Sequence, residues 1–295
     1  MFKTLFFIFI TLGIQATQAK VEARWLTVAS VLIDDGKTKL LFDPAWTRPG
    51  LKHVLGFEKL RSDEKLVTKI LKKNGLEKID AVFASHSHFD HVLDAPMVSK
   101  LAGAIFYVDE SSERLASAYK EPKIRTERVS TLKEIKVGDF TITPIVRAHS
   151  KLFQLFDFLP GPVPANTELS FWDYHCGEAW YYLIKHPEGT YVVNQGAESH
   201  VEELKKLTSS VDVLFQGLAS RKDDEMIING FAKAFEPKIF VPLHFDNFFA
   251  DFNSGAESEL PGMGLEKILT KLKKAYPTMK LDRPTYGKPI SLEIK

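Results

Sequence analysis

The chain has 295 residues, with 39 Lys and Arg against 38 Asp and Glu and a net charge of +1. That length allows one large domain or two small ones, each with a real core, and the even charge balance supplies no basic field to gather nucleic acid or anionic lipid. The only cysteine is Cys176, so an internal disulfide and a cysteine-rich zinc site are excluded, and any metal must be held by His and carboxylates.

The chain opens with Lys3, an apolar run from Leu5 to Ile14 and the small-residue end Thr17-Gln18-Ala19. This is the layout of a signal peptide cleaved after Ala19, and its apolar run falls well short of the ~20 residues that span a bilayer. Residues 1–19 are therefore expected to be removed, the mature chain to begin near Lys20, and the protein to be exported to a periplasm or the extracellular space. No later stretch is long and apolar enough to span a membrane. Apolar and β-branched runs bounded by turn residues then predict strands at Trp25 to Ile33, Leu40 to Phe42, Ala81 to Ala84, Phe140 to Val146, Trp180 to Ile184, Tyr191 to Val193, Val211 to Phe215 and Phe240 to Leu243. Val31-Leu32-Ile33 and Lys39 to Phe42, separated by Asp34-Asp35-Gly36, read as a hairpin that Asp43-Pro44 stops. Helical patterns fall at Glu64 to Lys73, Ala95 to Leu101, Val201 to Leu207, Asn229 to Phe235 and Leu265 to Lys274. Strands and helices mix throughout, and no repeat or Gly/Ser linker divides residues 20–295, so a single α/β domain is expected. Ser150 to Tyr182, rich in Phe, Trp, Tyr and Pro, reads as a long loop, either an apolar lid or core that covers a sheet edge.

The chemistry is concentrated in His86-Ser87-His88-Phe89-Asp90-His91, directly after the strand that ends near Ala84. In an extended segment His86 and His88 face the same way, while Asp90 and His91 follow where the chain turns toward the helix near Ala95. Three imidazoles and a carboxylate within six residues suit Zn²⁺ at an open catalytic site better than a solvated loop. His149 and His244 each end a predicted strand. His53, His175, His186 and His200 fit no motif and are expected on the surface or in hydrogen bonds, and Cys176 is expected to be a buried, inert thiol.

The His-x-His-x-Asp-His spacing after a strand resembles the signature of the metallo-β-lactamase superfamily, and Trp25-Leu26 through Asp43-Pro44 is similar to that family's opening hairpin. The resemblance implies a four-layer αββα sandwich with its site at one edge of the two sheets. It implies one metal held by His86, His88 and His149 and a second by Asp90, His91 and His244, with Asp90 also orienting the attacking water. Asp43 would support a ligand His from behind, or simply serve the turn before Pro44. Where the family usually carries a Gly-Asp-Thr-like turn whose Asp bridges two ions, this chain has Asn194-Gln195-Gly196-Ala197-Glu198, and alignment on Gly196 puts Ala197 at the Asp position. Alanine cannot ligate. Glu198 is one residue away, and Asn194 or Gln195 offers an amide oxygen, so one tight zinc and a second weak or absent are expected. The implied activity is hydrolysis of an ester, lactone, β-lactam or phosphodiester in a small-molecule or lipid-like substrate, by water that zinc makes acidic enough to ionise near pH ~7. The competing expectation is a metal or ligand binder without turnover; it shares every His, but it has no use for a water-orienting Asp90.

Overall fold

In the computed structural model, residues 20–151, 157–197, 200–250, 252 and 258–292 are described. The expected signal segment lies outside them, as do Glu198 and residues 152–156 of the aromatic stretch.

Alternating side chains build two layers of strands. The first sheet runs in the order β14 (Pro289–Ile290), β1 (Glu22–Trp25), β2 (Val31–Asp34), β3 (Lys39–Phe42), β4 (Ala81–Phe83), β5 (Ile105–Val108), β6 (Arg125–Arg128). The second runs β13 (Lys280–Leu281), β12 (Ile239–Leu243), β11 (Val213–Gly217), β10 (Gly189–Asn194), β9 (Ala179–His186), β8 (Phe140–Arg147), β7 (Ile135–Val137). In chain order the helices are α1 (Leu51–Val54), α2 (Glu64–Asn74), α3 (Phe89–Val92), α4 (Ala95–Ala102), α5 (Glu110–Ala118), α6 (Val201–Leu207), α7 (Asp224–Ile227), α8 (Lys233–Phe235) and α9 (Leu265–Ala275). Val31, Ile33, Leu40, Phe42, Ala81 and Phe83 face the second sheet, whereas the intervening Leu32, Leu41 and Val82 pack with Val67 and Ile70 of α2 and Val98 of α4 on the outer side. Phe42 and Phe83 meet Tyr182 across the inter-sheet layer at ring distances of 5.3 and 5.4 Å. The Tyr182 hydroxyl donates to the Ala84 carbonyl at 2.6 Å, tying β9 to the end of β4 where the His cluster begins. On the other side, Leu204 of α6 and Ile268 and Leu272 of α9 are buried in the cluster that includes the second sheet. The result is the expected pair of mixed sheets flanked by helices.

The expected hairpin of β2 and β3 is present, with Val31 opposite Phe42 and Ile33 opposite Leu40. Trp25 to Ile33 is not one strand. Thr27 and Val28 take positive φ values of 76° and 49°, and β1 and β2 fold back as an antiparallel pair. The cause is tertiary: the Val28 N–H donates to Asp246 and the Val28 carbonyl accepts from the His244 N–H, so the turn is pinned to the end of β12. The helix expected over Asn229 to Phe235 is instead α7, a wide π-type turn over Ile228–Ala232 and α8, with non-helical backbone at Gly230. The expected loop ends earlier than Tyr182, because β9 starts at Ala179, and Phe171–Asp173 forms a 3₁₀ turn inside it. Pro144 and Pro242 sit within strands. Neither breaks a ladder, because the flanking β7 and β13 pair only with residues 140–142 and 239–240.

Candidate metal centre

β4 ends at Phe83, the chain bends through residues 85–88, and α3 then begins with His88 as its N-cap. His86 and His88 lie on the bend before α3, while Asp90 and His91 lie on its helical turn. His149 follows the end of β8 by two residues, and His244 follows β12 directly with a left-handed φ of 54°. The two sheets therefore bring all six expected residues to one edge. Ligand atoms of His86, His88 and His149 lie within 4.8 Å of one another, as do those of His86, Asp90 and His91. His244 Nε2 is 3.1 Å from Asp90 Oδ2, which places it on the Asp90–His91 side.

The hydrogen bonds indicate which nitrogens keep a lone pair. His88 Nε2 faces the Phe158 carbonyl at 2.9 Å, and a carbonyl can only accept, so the proton is on Nε2 and the lone pair on Nδ1. That Nδ1 is 3.0 Å from His86 Nε2, which in turn is 3.2 Å from His149 Nε2. One ring proton at most can serve such a triangle, and a cation at its middle would serve all three nitrogens. Burial, first, and then the charges of the neighbouring histidines keep the His86 pKa well below the usual imidazole range. Burial drives His88 down to about 4, although Asp90 opposes the shift, and burial with the charges of His88 and Arg147 drives His149 down to about 3. Their lone pairs are consequently free at neutral pH. Burial resists ionisation of Asp90, but His91 and His244 outweigh it and hold its carboxyl well below the usual carboxylate range. The donor set of neutral imidazoles and one ionised carboxylate fits a divalent metal.

Asp43 supports this arrangement from behind. Its Oδ1 accepts from the Ser85 N–H at 2.5 Å, and its Oδ2 is 3.4 Å from His91 Nδ1. Ser85 Oγ lies 3.1 Å from both His86 Nδ1 and His91 Nδ1. With Nδ1 turned to these partners, His91 presents Nε2 toward Asp90, 3.7 Å away.

In the turn after β10, Ala197 is buried and offers no ligand atom. The Asn194 amide donates to the Gly196 carbonyl, and the Gln195 amide donates to the Ala29 carbonyl while its Oε1 is buried without a partner. Gly196 lets the Arg147 guanidinium lie against the turn, where a Cβ would displace it. Arg147 is buried, donates to the Ala148 carbonyl, and is among the charges that depress His86 and His149. Sequence reading passed over this arginine, although its place two residues before His149 put it on the same side of an extended chain. Asp212 is structural, accepting from the Thr190 N–H and pairing with Lys238. Asp35, Asp139 and His186 also cluster, but His186 Nδ1 accepts from the Glu188 N–H, which puts its proton on Nε2 toward Asp35 at 3.5 Å. That group is a hydrogen-bonded tie between turns. His53 accepts from the Gly50 N–H and His175 donates to the Pro160 carbonyl, as residues outside any motif should. Cys176 is buried, and burial pushes its thiol up to about 12, so it is inert at neutral pH.

Two sheets with a His/Asp cluster at their shared edge define an α/β sandwich built to hold metal. The family model of the metallo-beta-lactamase superfamily matches residues 23–175, and the chain belongs to that superfamily. A metal-dependent hydrolase of Anaeromyxobacter sp. (strain K) is 24% identical over 242 residues, covering 79% of this chain and 78% of the relative. Among solved structures, a metallo hydrolase from the hyperthermophilic archaeon Ignicoccus hospitalis superposes with a TM-score of 0.62 at 16% identity, covering 93% of this chain and 99% of its own. The metallo-beta-lactamase fold protein YhfI from Bacillus subtilis gives a TM-score of 0.58 at 16% identity, with 92% and 98% covered. At such identities the structural likeness establishes the fold alone.

Proposed function

We propose that this chain is an exported zinc-dependent hydrolase that directs a water molecule at an ester, lactone or phosphodiester-type bond. The observation that carries this reading is the convergence of imidazole nitrogens from His86, His88 and His149 beside Asp90 and His91. Zinc, when bound, lowers the pKa of water and polarises the oxygen of the bond under attack. His86, His88 and His149 would hold the tight ion, and Asp90, His91 and His244 a weaker one. Two close divalent cations repel each other, and the carboxylate that usually offsets this is replaced by Ala197, with the buried Arg147 adding positive charge. Asp90, kept ionised by His91 and His244, accepts a hydrogen bond from water and so orients it.

Purified protein should hydrolyse at least one member of a panel of esters, lactones, β-lactams and phosphodiesters, lose that activity to a chelator and regain it with zinc. Binding of zinc without turnover of any member would favour a non-catalytic metal binder. After mild dialysis, metal analysis should give nearer one zinc than two per chain, and Ala197→Asp should raise the count; two equally tight ions in the unmodified protein would place the bridge on another residue.

Export is read from Lys3, the run from Leu5 to Ile14 and Ala19. Cleavage there keeps Val21, whose N–H donates to Glu188 Oε2 at 2.9 Å, and leaves β1 whole. N-terminal sequencing of protein from its native compartment should start near Lys20; an intact Met1 on cytoplasmic protein would refute export.

A further inference from the structure

Ser87 stands between two ligands of the proposed tight site, and it is held twice. Its N–H donates to the Cys176 carbonyl at 2.9 Å, and its fully buried hydroxyl lies 3.3 Å from Asp109 Oδ1 and 2.9 Å from Ser112 Oγ. Asp109 is the N-cap of α5, which follows β5, the strand paired in parallel with β4. Capping a helix needs one carboxylate oxygen. Here Oδ1 caps, accepting from the Ser112 N–H at 2.8 Å, while Oδ2 leaves the helix and accepts from the Glu178 N–H at 3.0 Å. Gly177 permits that approach: its φ is 63°, and a Cβ on it would come within 2.5 Å of Asp109 Oδ2.

The same carboxylate reaches His88 by a second route. Next to Glu178, the Cys176 N–H donates to the Leu159 carbonyl at 2.8 Å and the Gly177 N–H to the Gly161 carbonyl at 2.9 Å. The strap 158–161 so held carries the Phe158 carbonyl, which takes the His88 Nε2 proton at 2.9 Å and leaves Nδ1 facing His86 and His149. Ser111 Oγ adds another tie from α5, accepting from the Val163 N–H at 3.0 Å. Two chains of hydrogen bonds therefore run from the first turn of α5 to one ligand, one to the backbone before His88 and one to its ring. Asp109, Ser111 and Ser112 are all buried.

We infer that Asp109 is the positioning residue of the tight metal site: without touching the ion, it fixes both the backbone and the ring of His88. The inference rests on His88 as a ligand in the proposed metal centre. Loss of Oδ2 releases the turn at Glu178 and with it the strap that orients the ring. Loss of the Ser87 contact frees the bend between His86 and His88. A ring that must be collected from several orientations binds metal more weakly, although all three imidazoles are still present. A helix cap alone has no such effect, since its removal lowers the stability of α5 and leaves the ligands of the folded protein as they are.

The experiment measures zinc affinity by competition with a chromophoric chelator and records the visible absorption of protein loaded with cobalt(II) in place of zinc. Neither readout needs turnover, so the result is independent of whether the bound metal hydrolyses the proposed bonds. Asparagine caps a helix as well as aspartate does, but its amide nitrogen cannot accept from the Glu178 N–H. Asp109→Asn should therefore weaken zinc binding about tenfold or more and alter the cobalt bands, while the chelated protein still unfolds in one cooperative step. Ser87→Ala keeps the cap and the Glu178 contact, and should weaken zinc by roughly threefold or more. The control is Asp63→Ala at the N-cap of α2, whose side chain accepts from the Lys65 and Leu66 N–H groups of its own helix; it should lower Tm and leave zinc affinity at the parent value. A folded Asp109→Asn protein with the parent affinity and the parent cobalt spectrum overturns the role and reduces Asp109 to a helix cap. A control that weakens zinc as much as Asp109→Asn does also overturns it. If Asp109→Asn does not fold, Ser87→Ala decides, and an affinity equal to the parent's overturns the role.

Discussion

Asp43 holds a left-handed φ of 48°, a conformation that costs a non-glycine residue on the order of 1–3 kcal/mol and persists only where its surroundings impose it. Its N–H is held on the Phe83 carbonyl and its Oδ1 by the Ser85 N–H, while Oδ2, which has no hydrogen bond, lies 3.4 Å from His91 Nδ1, so a single carboxylate sits behind both the entry to the ligand segment and the ring of one ligand. His244 is strained in the same sense, and its N–H is anchored on the Val28 carbonyl. Asp43→Ala should therefore weaken zinc binding by about 10–100-fold while the protein stays folded, because a ligand His without its partner loses orientation and basicity. Competition with a chromophoric chelator measures this directly. An affinity unchanged from the parent protein would reduce Asp43 to a turn residue before Pro44, the other role its sequence position allows.

At the scale of elements, Asp94 at the start of α4 joins segments that are far apart in the chain. It accepts from the N–H groups of Trp46 and Thr47 and from the hydroxyls of Thr47 and Ser62, so the loop after β3 and the approach to α2 are both fastened to α4. Asp94→Ala would leave these buried or half-buried donors unpaired, at about 1–3 kcal/mol for each that water cannot reach, and should cost roughly 3 kcal/mol or more in urea unfolding. A loss under about 1 kcal/mol would mean that water replaces the carboxylate. Nothing local in Asp94-Ala95-Pro96 announces that role; it reads as a helix start. The same distinction explains what could be read from the chain. His86 to His91 was legible because the whole motif is contiguous, and His149 and His244 because each ends an apolar run. The strand β6, Arg-Thr-Glu-Arg, was not, since a charged edge strand carries no alternation of apolar residues. Nor was the break between β1 and β2, which Asp246 imposes from more than two hundred residues away.

For the molecule as a whole, the metal edge and the core are separate sources of stability. The inter-sheet layer around Phe42, Phe83 and Tyr182 and the outer cluster around Leu41, Val82 and Phe106 contain no ligand, so both sheets should remain folded when metal is removed. The edge behaves otherwise. His86 and His88 are buried and, with half-buried His149, bring ring nitrogens within 4.8 Å of one another, an arrangement that a cation stabilises in the folded state alone. Binding to the native state alone contributes about 4 kcal/mol when free zinc is a thousand times its dissociation constant, which for a chain of this size is a rise in Tm of several to about ten degrees. Differential scanning calorimetry across a zinc series should therefore show one cooperative transition that climbs with the logarithm of zinc concentration, starting from a chelated protein that is still folded. His88→Ala should abolish the climb and leave the chelated Tm within a few degrees of the parent. If chelation instead removed the transition altogether, the ion would be part of what holds the two sheets together, and the division between a metal-independent core and a metal-dependent edge would be wrong.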